Sequence, residues 1–412
     1  MTDRPSVLVI GAGIVGIACG IHLIERGAAV TLIDPEPPGS LTSSGNAGGL
    51  ASTEVMPIGA PGAIKRIPGW LLDPLGPLSL RWRHLPSMLP WLVHFHRAST
   101  RQEVERISKS LSTLLGRSMQ DMRELVYRAR LQNLITERGA ITVYESEKSR
   151  QLDALEWRIK RERGITVEAL DAVSIKQMEP ALHNVSCGYF TPQWCNTTSP
   201  GRLAGSLASF LHSMGAKFVR ARVEAFHEGD PMRPVVLDNT VNRWDKVVVA
   251  AGVWSAELCR LLNESVLLES ERGYNTTLPA PGVSLNRQII FGDRKFVVTE
   301  IEEGLRIGGA AEFAGVHAPP DFRRSERLLE IAKTYLPDLN ISDGKSWMGH
   351  RPSTPDSLPV ISRSIRHPEL YYAFGHGHIG LTTAATTGHL IAQLAMGEKP
   401  DIDLSPYSIG RF

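Results

Sequence analysis

The sequence predicts an α/β fold with two domains, one built on a parallel sheet and one of α+β type with a largely antiparallel sheet. Three observations support this prediction: a glycine-rich strand–turn–helix–strand motif at 6–34, a second glycine-rich turn before a helix near residue 380, and short strands at 288–307. At 412 residues, the chain also exceeds the length that one hydrophobic core usually serves.

The N-terminal motif has the order of elements expected of a dinucleotide site. Its parts are a strand at 6–10, a turn with Gly11, Gly13 and Gly16, a helix over 14–26, and a strand over 29–33 that ends at Asp34. Gly11 permits the tight turn, Gly13 lets the backbone approach a pyrophosphate, and Gly16 allows close helix–strand packing. The helix N-terminus at Ile14 and Val15 offers amides to the phosphates. The motif therefore predicts a Rossmann-like domain.

Asp34 and its neighbours indicate which dinucleotide is excluded. A carboxylate at the end of the second strand can bind ribose hydroxyls. No basic residue follows Asp34 directly, so a 2′-phosphate would be repelled. This argues against NADP.

Composition and charge are those of a folded protein without a polyanionic partner. Apolar residues make up 42% and charged residues 21% of the chain, and the net charge is +2, so we expect no nucleic-acid partner. The four cysteines include no C-x-x-C pair, which gives no support to a metal site and suits a reducing compartment such as the cytoplasm. The N-terminal apolar stretch carries charges, and no uncharged apolar run of about 18 residues occurs, so we expect neither an export signal nor a membrane-spanning helix.

Two segments of unusual composition follow the motif. Residues 39–50 are small and polar, which suits either a second ligand-binding loop or a plain flexible loop.

Residues 57–90 hold seven prolines among large apolar side chains, and interleaved arginines and histidines continue to 97. The prolines exclude a long uninterrupted helix. We interpret 67–96 as an apolar segment packed over the protein's own core; the alternative is contact with an anionic membrane surface.

The middle of the chain alternates helices and strands. Helical spacing of apolar residues, or short apolar runs bounded by turns, predicts each of these elements. They are helices at 103–130, near 149–163 and at 202–214, and strands at 217–223, 247–251, 288–291, 295–299 and 304–307. We interpret the helix at 103–130 as scaffold and the last three strands as part of the antiparallel sheet.

The C-terminal part repeats the arrangement of a glycine turn before a helix. An apolar run at 371–374 meets Gly375, Gly377 and Gly380, and a helix is predicted near 381–396. A second helix N-terminus has no obvious duty in a nicotinamide enzyme. In a flavoenzyme, it can stabilise the negative charge that reduced flavin carries near N1 and the C2 carbonyl.

Five motifs follow one another along the chain. They are Gly11-Ala-Gly-Ile-Val-Gly16, Ser44-Gly-Asn-Ala-Gly48, Ala250-Ala-Gly-Val-Trp-Ser255, Arg351-Pro-Ser-Thr-Pro-Asp-Ser-Leu-Pro359 and Gly375-His-Gly-His-Ile-Gly380. In this order they resemble the FAD-dependent D-amino acid dehydrogenase group of the glycine oxidase and D-amino acid oxidase family. The last two motifs are the more specific ones, since many nucleotide-binding folds share the first.

The resemblance implies FAD bound by a domain that is discontinuous in sequence. The implied FAD-binding domain comprises 1–66, 197–262 and 345–412, and the substrate-binding domain comprises 67–196 and 263–344. The implied FAD contacts are Ser43, Ser44, Gly45, Asn46, Ala47 and Gly48 at the pyrophosphate and flavin, Val223, Ala251, Gly252 and Trp254 at the adenosine side, and Gly377, His378, Ile379, Gly380 and Leu381 at the flavin ring or ribityl chain. No cysteine lies after Cys259, so we expect FAD to be bound non-covalently.

Arg351 is the candidate substrate anchor. The resemblance implies that it grips the substrate carboxylate, and arginine can do so through two parallel hydrogen bonds; the alternative is a structural arginine. Tyr274 either caps the same carboxylate or is a core aromatic. His350 departs from the family pattern, in which an apolar residue precedes the arginine, and we expect it to tune substrate choice. For His376 and His378, we favour structural hydrogen bonds over proton transfer.

The predicted function is oxidation of the Cα–N bond of an amino acid, either a D-amino acid or a cyclic or secondary one. Hydride passes to flavin N5, the imine hydrolyses to a keto acid and ammonia, and electrons pass to a quinone or another carrier. Alternatives are an oxygen-using amino acid or secondary amine oxidase, a nicotinamide-dependent dehydrogenase, and a non-catalytic flavin-binding module. The apolar segment 67–96 would suit an acceptor at the inner face of the cell membrane. The sequence predicts no oligomeric state.

Overall fold

Two large sheets organise the part of the chain that the computed structural model describes, residues 4–60, 67–73, 75–236 and 242–412. The strands are β1 (Ser6–Ile10), β2 (Ala29–Asp34), β3 (Gly49–Leu50), β4 (Leu78–Leu80), β5 (Ile135–Thr136), β6 (Ala140–Tyr144), β7 (Glu168–Asp171), β8 (Cys187–Thr191), β9 (Cys195–Thr197), β10 (Lys217–Arg220), β11 (Val223–Phe226), β12 (Pro234–Val236), β13 (Lys246–Val249), β14 (Glu269–Leu278), β15 (Gln288–Phe291), β16 (Phe296–Ile301), β17 (Gly304–Phe313), β18 (Lys345–Ser353), β19 (Val360–Arg363) and β20 (Leu370–Phe374). The helices are α1 (Ile14–Glu25), α2 (Ile67–Leu72), α3 (Leu85–Ala98), α4 (Arg101–Arg128), α5 (Glu147–Leu152), α6 (Ala154–Glu162), α7 (Ala172–Met178), α8 (Pro200–Ser213), α9 (Ser255–Leu261), α10 (Arg323–Tyr335) and α11 (Gly380–Ala395).

The first large sheet is the parallel one that the N-terminal motif predicts. Its six strands follow the order β10-β2-β1-β13-β20-β19, and all neighbours are parallel except β19 and β20. β1 is central and almost entirely buried, as expected of a strand covered by helices on both faces. The predicted strand–helix–strand unit at 6–34 is confirmed to within one residue.

The second large sheet is largely antiparallel, which confirms the other half of the predicted fold. Its path is β18-β14-β17-β16-β15-β6-β8-β7, and β4 pairs with β17 at the side. Two pairs are parallel, β6 with β15 and β4 with β17. This sheet supplies the wall of the molecule that faces the turns of the parallel sheet.

The helices on the parallel sheet pack closely because small residues lie where they cross. A Cβ atom at Gly388 of α11 would lie 2.5 Å from the Ala18 carbonyl carbon of α1. α4, the predicted scaffold helix, covers α11, and Thr386 donates a hydrogen bond to Asp121 of α4 at 2.5 Å. These contacts fix α11 between α1 and α4.

Two predicted elements are each divided in the structure. The helix predicted near 149–163 is split into α5 and α6 at Asp153, a buried carboxylate that accepts a hydrogen bond from Tyr144 at 3.1 Å. The strand predicted at 217–223 is split into β10 and β11, which lie in different sheets. The Ala221 amide between them donates to the Asp34 carbonyl at 3.2 Å, so the chain leaves the parallel sheet there.

The proline-rich segment 67–96 has a buried side and an exposed side in its described residues. Met88 and Trp91 of α3 are buried against Phe313 of the antiparallel sheet. Trp82, Leu89 and Val93 are exposed, with Trp82 at 82%. α3 continues through Pro90, although proline has no amide hydrogen to donate inside a helix. The sequence predicts that prolines interrupt helices in this segment, but Pro90 does not end this one.

Strand pairing differs from the predicted domain boundary at residue 345. Residues 345–353 form β18 and pair along their length with β14, so they belong to the antiparallel sheet. The chain rejoins the parallel sheet only at Val360. The predicted boundary at residue 66 lies outside the described residues. Among the residues that the structure describes, no helix is long and apolar enough to cross a bilayer.

Candidate active site

The turn after β1 has the glycines where the backbone has no room for side chains. Gly11 has a φ of +110°, and a Cβ there would lie 2.4 Å from the Ala250 carbonyl oxygen. A Cβ at Gly16 would lie 2.0 Å from the Gly11 carbonyl oxygen, so Gly16 serves helix–strand packing. At Gly13, by contrast, only the Ser43 hydroxyl lies within 4 Å, at 3.6 Å. The turn therefore leaves open space at the start of α1, where a phosphate can approach.

Asp34 lies beside this turn at the end of β2. Its Oδ2 accepts a hydrogen bond from the Ala12 amide at 2.7 Å, and its Oδ1 accepts one from Glu36 at 2.9 Å. A carboxylate has about four lone-pair positions, so two bonds leave it able to accept from ribose hydroxyls. Asp34 thus supports the turn and faces the cavity described below.

The small polar loop at 43–48 is held in a defined conformation by contacts with α1 and with the antiparallel sheet. Ser43 accepts a hydrogen bond from the Ile14 amide at 3.1 Å. From the antiparallel sheet, Arg306 donates to the carbonyls of Ser44 at 3.0 Å and Asn46 at 2.6 Å, and Asn275 donates to Gly45 at 2.8 Å. These contacts favour the interpretation of an ordered ligand-binding loop over that of a flexible one.

The second glycine turn joins β20 to α11. Gly377 has a φ of +51°, and its amide donates to the Pro352 carbonyl at 2.9 Å, so the turn is tied to the strand that carries Arg351. The side chain of His376 is buried and its Nε2 lies 3.0 Å from the Thr387 hydroxyl, as expected of a structural histidine. Burial lowers the pKa of His376 to about 3, so it stays neutral at physiological pH.

Both turns face one cavity of about 1280 Å³. Most of the predicted site residues line it: Gly11, Gly13, Ile14, Val15, Asp34, Ser43, Gly45, Asn46, Ala47, Val223, Ala251, Gly252, Trp254, Tyr274, His350, Arg351, Gly377, His378, Gly380 and Leu381. The predicted residues outside the lining serve packing or local backbone geometry; they are Gly16, Ser44, Gly48 and Ile379. The cavity thus joins segments from both ends of the chain.

Arg351 reaches this cavity from β18. Its Nη1 donates to Glu271 at 2.8 Å and to the Ala310 carbonyl at 3.1 Å. Its guanidinium lies against Gly273, where a Cβ would be 2.3 Å from Nη2. Within the described residues, Nε and Nη2 make no hydrogen bond, so two of the donors that can bind a carboxylate remain available. Glu271 is buried and also accepts from the Ser353 hydroxyl at 2.8 Å.

Tyr274 and His350 have internal partners. The buried Tyr274 hydroxyl donates to Glu312 at 2.5 Å and accepts from the Asp321 amide at 3.0 Å, which favours the core aromatic over a carboxylate cap. His350 Nδ1 lies 2.7 Å from the Ser270 hydroxyl. Burial, followed by the positive charges of Arg272 and His317, lowers the pKa of His350 to about 4. A neutral imidazole at the cavity wall is therefore expected at physiological pH.

Four polar residues at the site were missed by the motif analysis. Glu271 and Ser353 flank Arg351, while Asn275 and Arg306 hold the 43–48 loop. Arg306 lies in the strand predicted at 304–307, whereas Glu271 and Asn275 lie in β14, which none of the predicted strands covers. Buried polar groups are normally hydrogen-bonded. Charged residues within strand segments, such as Glu271 and Arg306, could therefore have indicated that these positions have polar partners at the site.

The two sheets and the cavity they share define a dinucleotide-binding class of fold, with Arg351 lining the cavity. Residues 6–394 match the model of the DAO family, described as FAD dependent oxidoreductase. The chain belongs to this family and is an FAD-dependent oxidoreductase. The residues fit FAD, because the open space at Gly13 and at Gly252, where a Cβ would meet nothing within 4 Å, lies in the same cavity.

Comparisons with individual proteins agree with this assignment. The chain is 38% identical over 421 residues to a protein of Bradyrhizobium diazoefficiens named D-amino-acid oxidase, with 100% of both chains covered. It is 28% identical to a protein of Rhizobium rhizogenes named D-amino acid dehydrogenase, over 98% of this chain and 99% of the other. The crystal structure of glycine oxidase from Geobacillus kaustophilus superposes with a TM-score of 0.76 at 21% identity, with 100% of both chains covered. This last likeness concerns the fold.

Proposed function

We propose that this enzyme oxidises the Cα–N bond of an amino acid, of D configuration or with a cyclic or secondary amine, to an imine that water converts to a keto acid. A primary amine leaves as ammonia. The observation that carries the proposal is the guanidinium of Arg351 in the same cavity as both glycine turns. The 38% identical relative named D-amino-acid oxidase supports an amino acid as substrate.

The residues of the two turns suit the parts of FAD. The amides at the start of α1 would hold the pyrophosphate, Asp34 the ribose, and Val223, Ala251 and Trp254 the adenosine side. The turn at 377–381 would contact the flavin. When bound, FAD supplies the hydride acceptor. We propose that it is bound non-covalently, because the four cysteines are buried and none lines the cavity.

Arg351 is proposed to bind and orient the substrate carboxylate through Nε and Nη2. Glu271 holds the opposite side of the guanidinium and fixes its plane. A carboxylate added to this pair leaves one excess negative charge, which favours a substrate that brings a compensating ammonium, as an amino acid does. Orientation by such a fork brings Cα into a reactive position at little entropic cost.

We further propose a quinone or another carrier as electron acceptor, with oxygen as the second candidate. The relative named D-amino acid dehydrogenase favours the first, and the more similar relative named D-amino-acid oxidase favours the second. After anaerobic reduction by an amino acid, the reoxidation rate with dissolved oxygen can be compared with that of a soluble quinone. Faster reoxidation by the quinone at equal concentration would support the dehydrogenase.

We also propose a cytoplasmic protein that touches the inner face of the membrane peripherally through the exposed side of 67–96. Trp82, Leu89 and Val93 are exposed there beside Arg83 and Arg97, a composition suited to an anionic interface. Co-sedimentation with anionic vesicles tests this contact. A triple variant of Trp82, Leu89 and Val93 to serine should abolish sedimentation, and neutral vesicles should bind less.

The decisive experiment on the reaction is an anaerobic titration of the holoenzyme with D-, L- and N-alkyl amino acids. We expect at least one class to bleach the flavin band. If amino acids of every class leave the band unchanged, the proposed reaction is wrong. A nicotinamide-dependent dehydrogenase would show no flavin band at all.

A further inference from the structure

A row of side chains runs across the antiparallel sheet from Arg351. In register, Arg351 of β18 is opposite Glu271 of β14, Glu271 is opposite Phe313 of β17, and Phe313 is opposite Leu80 of β4. Residues directly opposite on neighbouring strands project from the same face of a sheet. With strands about 4.8 Å apart, the Cα atoms of Phe313 and Arg351 lie about 10 Å apart along the row. Phe313 is thus on the same face of the sheet as Arg351, two strands away.

α3 closes the row with aromatic side chains. Trp91 donates a hydrogen bond from Nε1 to the Ser353 carbonyl at 3.0 Å, two residues from Arg351. Its ring stacks on Phe95 at 5.0 Å between centroids and contacts Phe313 at 5.4 Å. Leu92, one position further along α3, packs on the same cluster. All of these side chains line the cavity, so the inner side of the proline-rich segment forms part of its wall.

The charged groups that flank this wall are paired with one another. Arg81 pairs with Glu312 at 2.9 Å, His84 with Glu269 at 2.8 Å, and Glu271 with Arg351 at 2.8 Å. A charged side chain of a substrate would therefore be desolvated here without gaining a new partner. An apolar side chain gains from the same environment.

We propose that Leu80, Trp91, Leu92, Phe95 and Phe313 form a subsite for the substrate side chain, and that the enzyme prefers amino acids with large apolar or aromatic side chains. This proposal rests on the proposed function. It gives the segment 67–96 a role in substrate choice, whereas the sequence predicts for this segment only packing on the core or contact with a membrane.

The first test is the ranking of substrates by the unaltered holoenzyme. Amino acids of the configuration, D or L, that reduces the flavin are compared. For these, kcat/KM for leucine and phenylalanine should exceed that for alanine and glutamate by about tenfold or more, because each methylene group bound in a hydrophobic pocket raises kcat/KM. A higher kcat/KM for alanine or glutamate would overturn the subsite. If no amino acid reduces the flavin, the proposed function fails instead.

The second test compares two leucines of α3. Leu92 lines the cavity, whereas Leu89, three residues earlier in the same helix, is 53% exposed and does not line it. We expect Leu92→Ala to lower kcat/KM for phenylalanine about tenfold and to change that for alanine less than about threefold, with Leu89→Ala unchanged for both. FAD content and thermal unfolding verify folding. An equal loss for both substrates, or an equal effect of both variants, would overturn the subsite. Phe313→Ala repeats the test from the sheet side if Leu92→Ala does not fold.

Discussion

Arg351 depends on a neighbouring residue that has no side chain. Its guanidinium occupies the space over Gly273, so the glycine after Arg272 is required for the arginine to lie flat against the strand. Glu271 and the Ala310 carbonyl then fix Nη1. Ala310 itself has a φ of +56°, an uncommon conformation for alanine, at the irregular stretch where β14 and β17 shift register. The strand geometry thus positions the proposed substrate anchor.

Replacing Arg351 should separate substrate binding from cofactor binding. Arg351→Ala should retain FAD and lower kcat/KM for amino acids by about a hundredfold or more, the cost of losing one partner of a desolvated charge pair. Arg351→Lys keeps the charge beside Glu271 but loses the planar fork, so an intermediate loss is expected. Arg327→Ala, an exposed arginine of α10, is the control. Normal turnover in Arg351→Ala would make Arg351 a structural residue.

His350 gives the protein a pH dependence with a defined sign. Its pKa is lowered to about 4 in the folded protein, whereas a histidine in the unfolded chain titrates near 6.5. Between these values the unfolded chain binds more protons, so the free energy of unfolding falls as the pH is lowered from about 6.5 to 4.

The corresponding variant is His350→Asn, which retains a hydrogen-bonding group beside Ser270. From pH 7 to pH 4.5, the thermal unfolding midpoint should fall less in His350→Asn than in the unaltered protein, and His96→Asn, an exposed histidine, should behave like the unaltered protein. Above pH 6.5, the pH profile of kcat/KM for the unaltered protein should contain no titration step that is lost in His350→Asn. Such a step would identify His350 as a proton-transferring group.

At the scale of elements, the crossing of α1 and α11 is set by Gly388. Gly388→Ala places a methyl group 2.5 Å from the Ala18 backbone and should destabilise the protein by about 1–3 kcal/mol. Gly205→Ala is the matched control, because a Cβ at this position of α8 would meet nothing within 4 Å. That change should stabilise by about 0.5–1 kcal/mol through helix propensity. Chemical denaturation of both variants measures the difference, and equal shifts would contradict the described crossing.

The 43–48 loop is positioned by Arg306 of β17. Arg306→Met removes the donors to the carbonyls of Ser44 and Asn46. Leaving these carbonyls without their partner should weaken FAD binding by about tenfold, since an unmet buried hydrogen bond costs about 1–3 kcal/mol. Flavin fluorescence titration measures the dissociation constant, with Arg202→Met, a half-exposed arginine, as control. Unchanged affinity would show that Arg306 does not position this loop for FAD binding.

Elements with strong local signals were predictable and those fixed by tertiary contacts were not. β1, α1 and β2 follow from hydrophobic runs and glycines, and α4 follows from helical spacing. The break at Asp153 was not predictable, because this buried carboxylate is paired with Lys295, 142 residues further along the chain. The pairing of β18 with β14 likewise depends on a partner about 80 residues away, which no local pattern records.

The same distinction applies to the site. The glycine turns were identified because their function constrains residue type locally. Glu271 and Ser353 were missed because their importance comes from lying beside Arg351 in space. Tyr274 shows the opposite case: the sequence leaves a substrate contact and a core position equally open, whereas its hydroxyl is engaged by Glu312 and Asp321.

At the scale of the whole molecule, the central claim is that two glycine turns from opposite ends of the chain hold a single FAD. The sheets bring the turns together because β1 and β20 are separated only by β13. The antiparallel sheet closes the space from the other side and carries Arg351 into it. One molecule of FAD per chain, released on unfolding, is the expected composition.

The most direct test is a titration of the apo-protein with FAD, followed by flavin fluorescence, for the unaltered chain and for one variant at each turn. Gly13→Val adds a side chain where only the Ser43 hydroxyl is near, and Gly377→Asn uses a residue that tolerates positive φ. Gly27→Asn, at a positive-φ turn with nothing within 4 Å, is the control. We predict one FAD per chain, weaker binding in both turn variants and unchanged binding in the control. A protein that takes up no FAD, or normal affinity in either turn variant, would contradict the account.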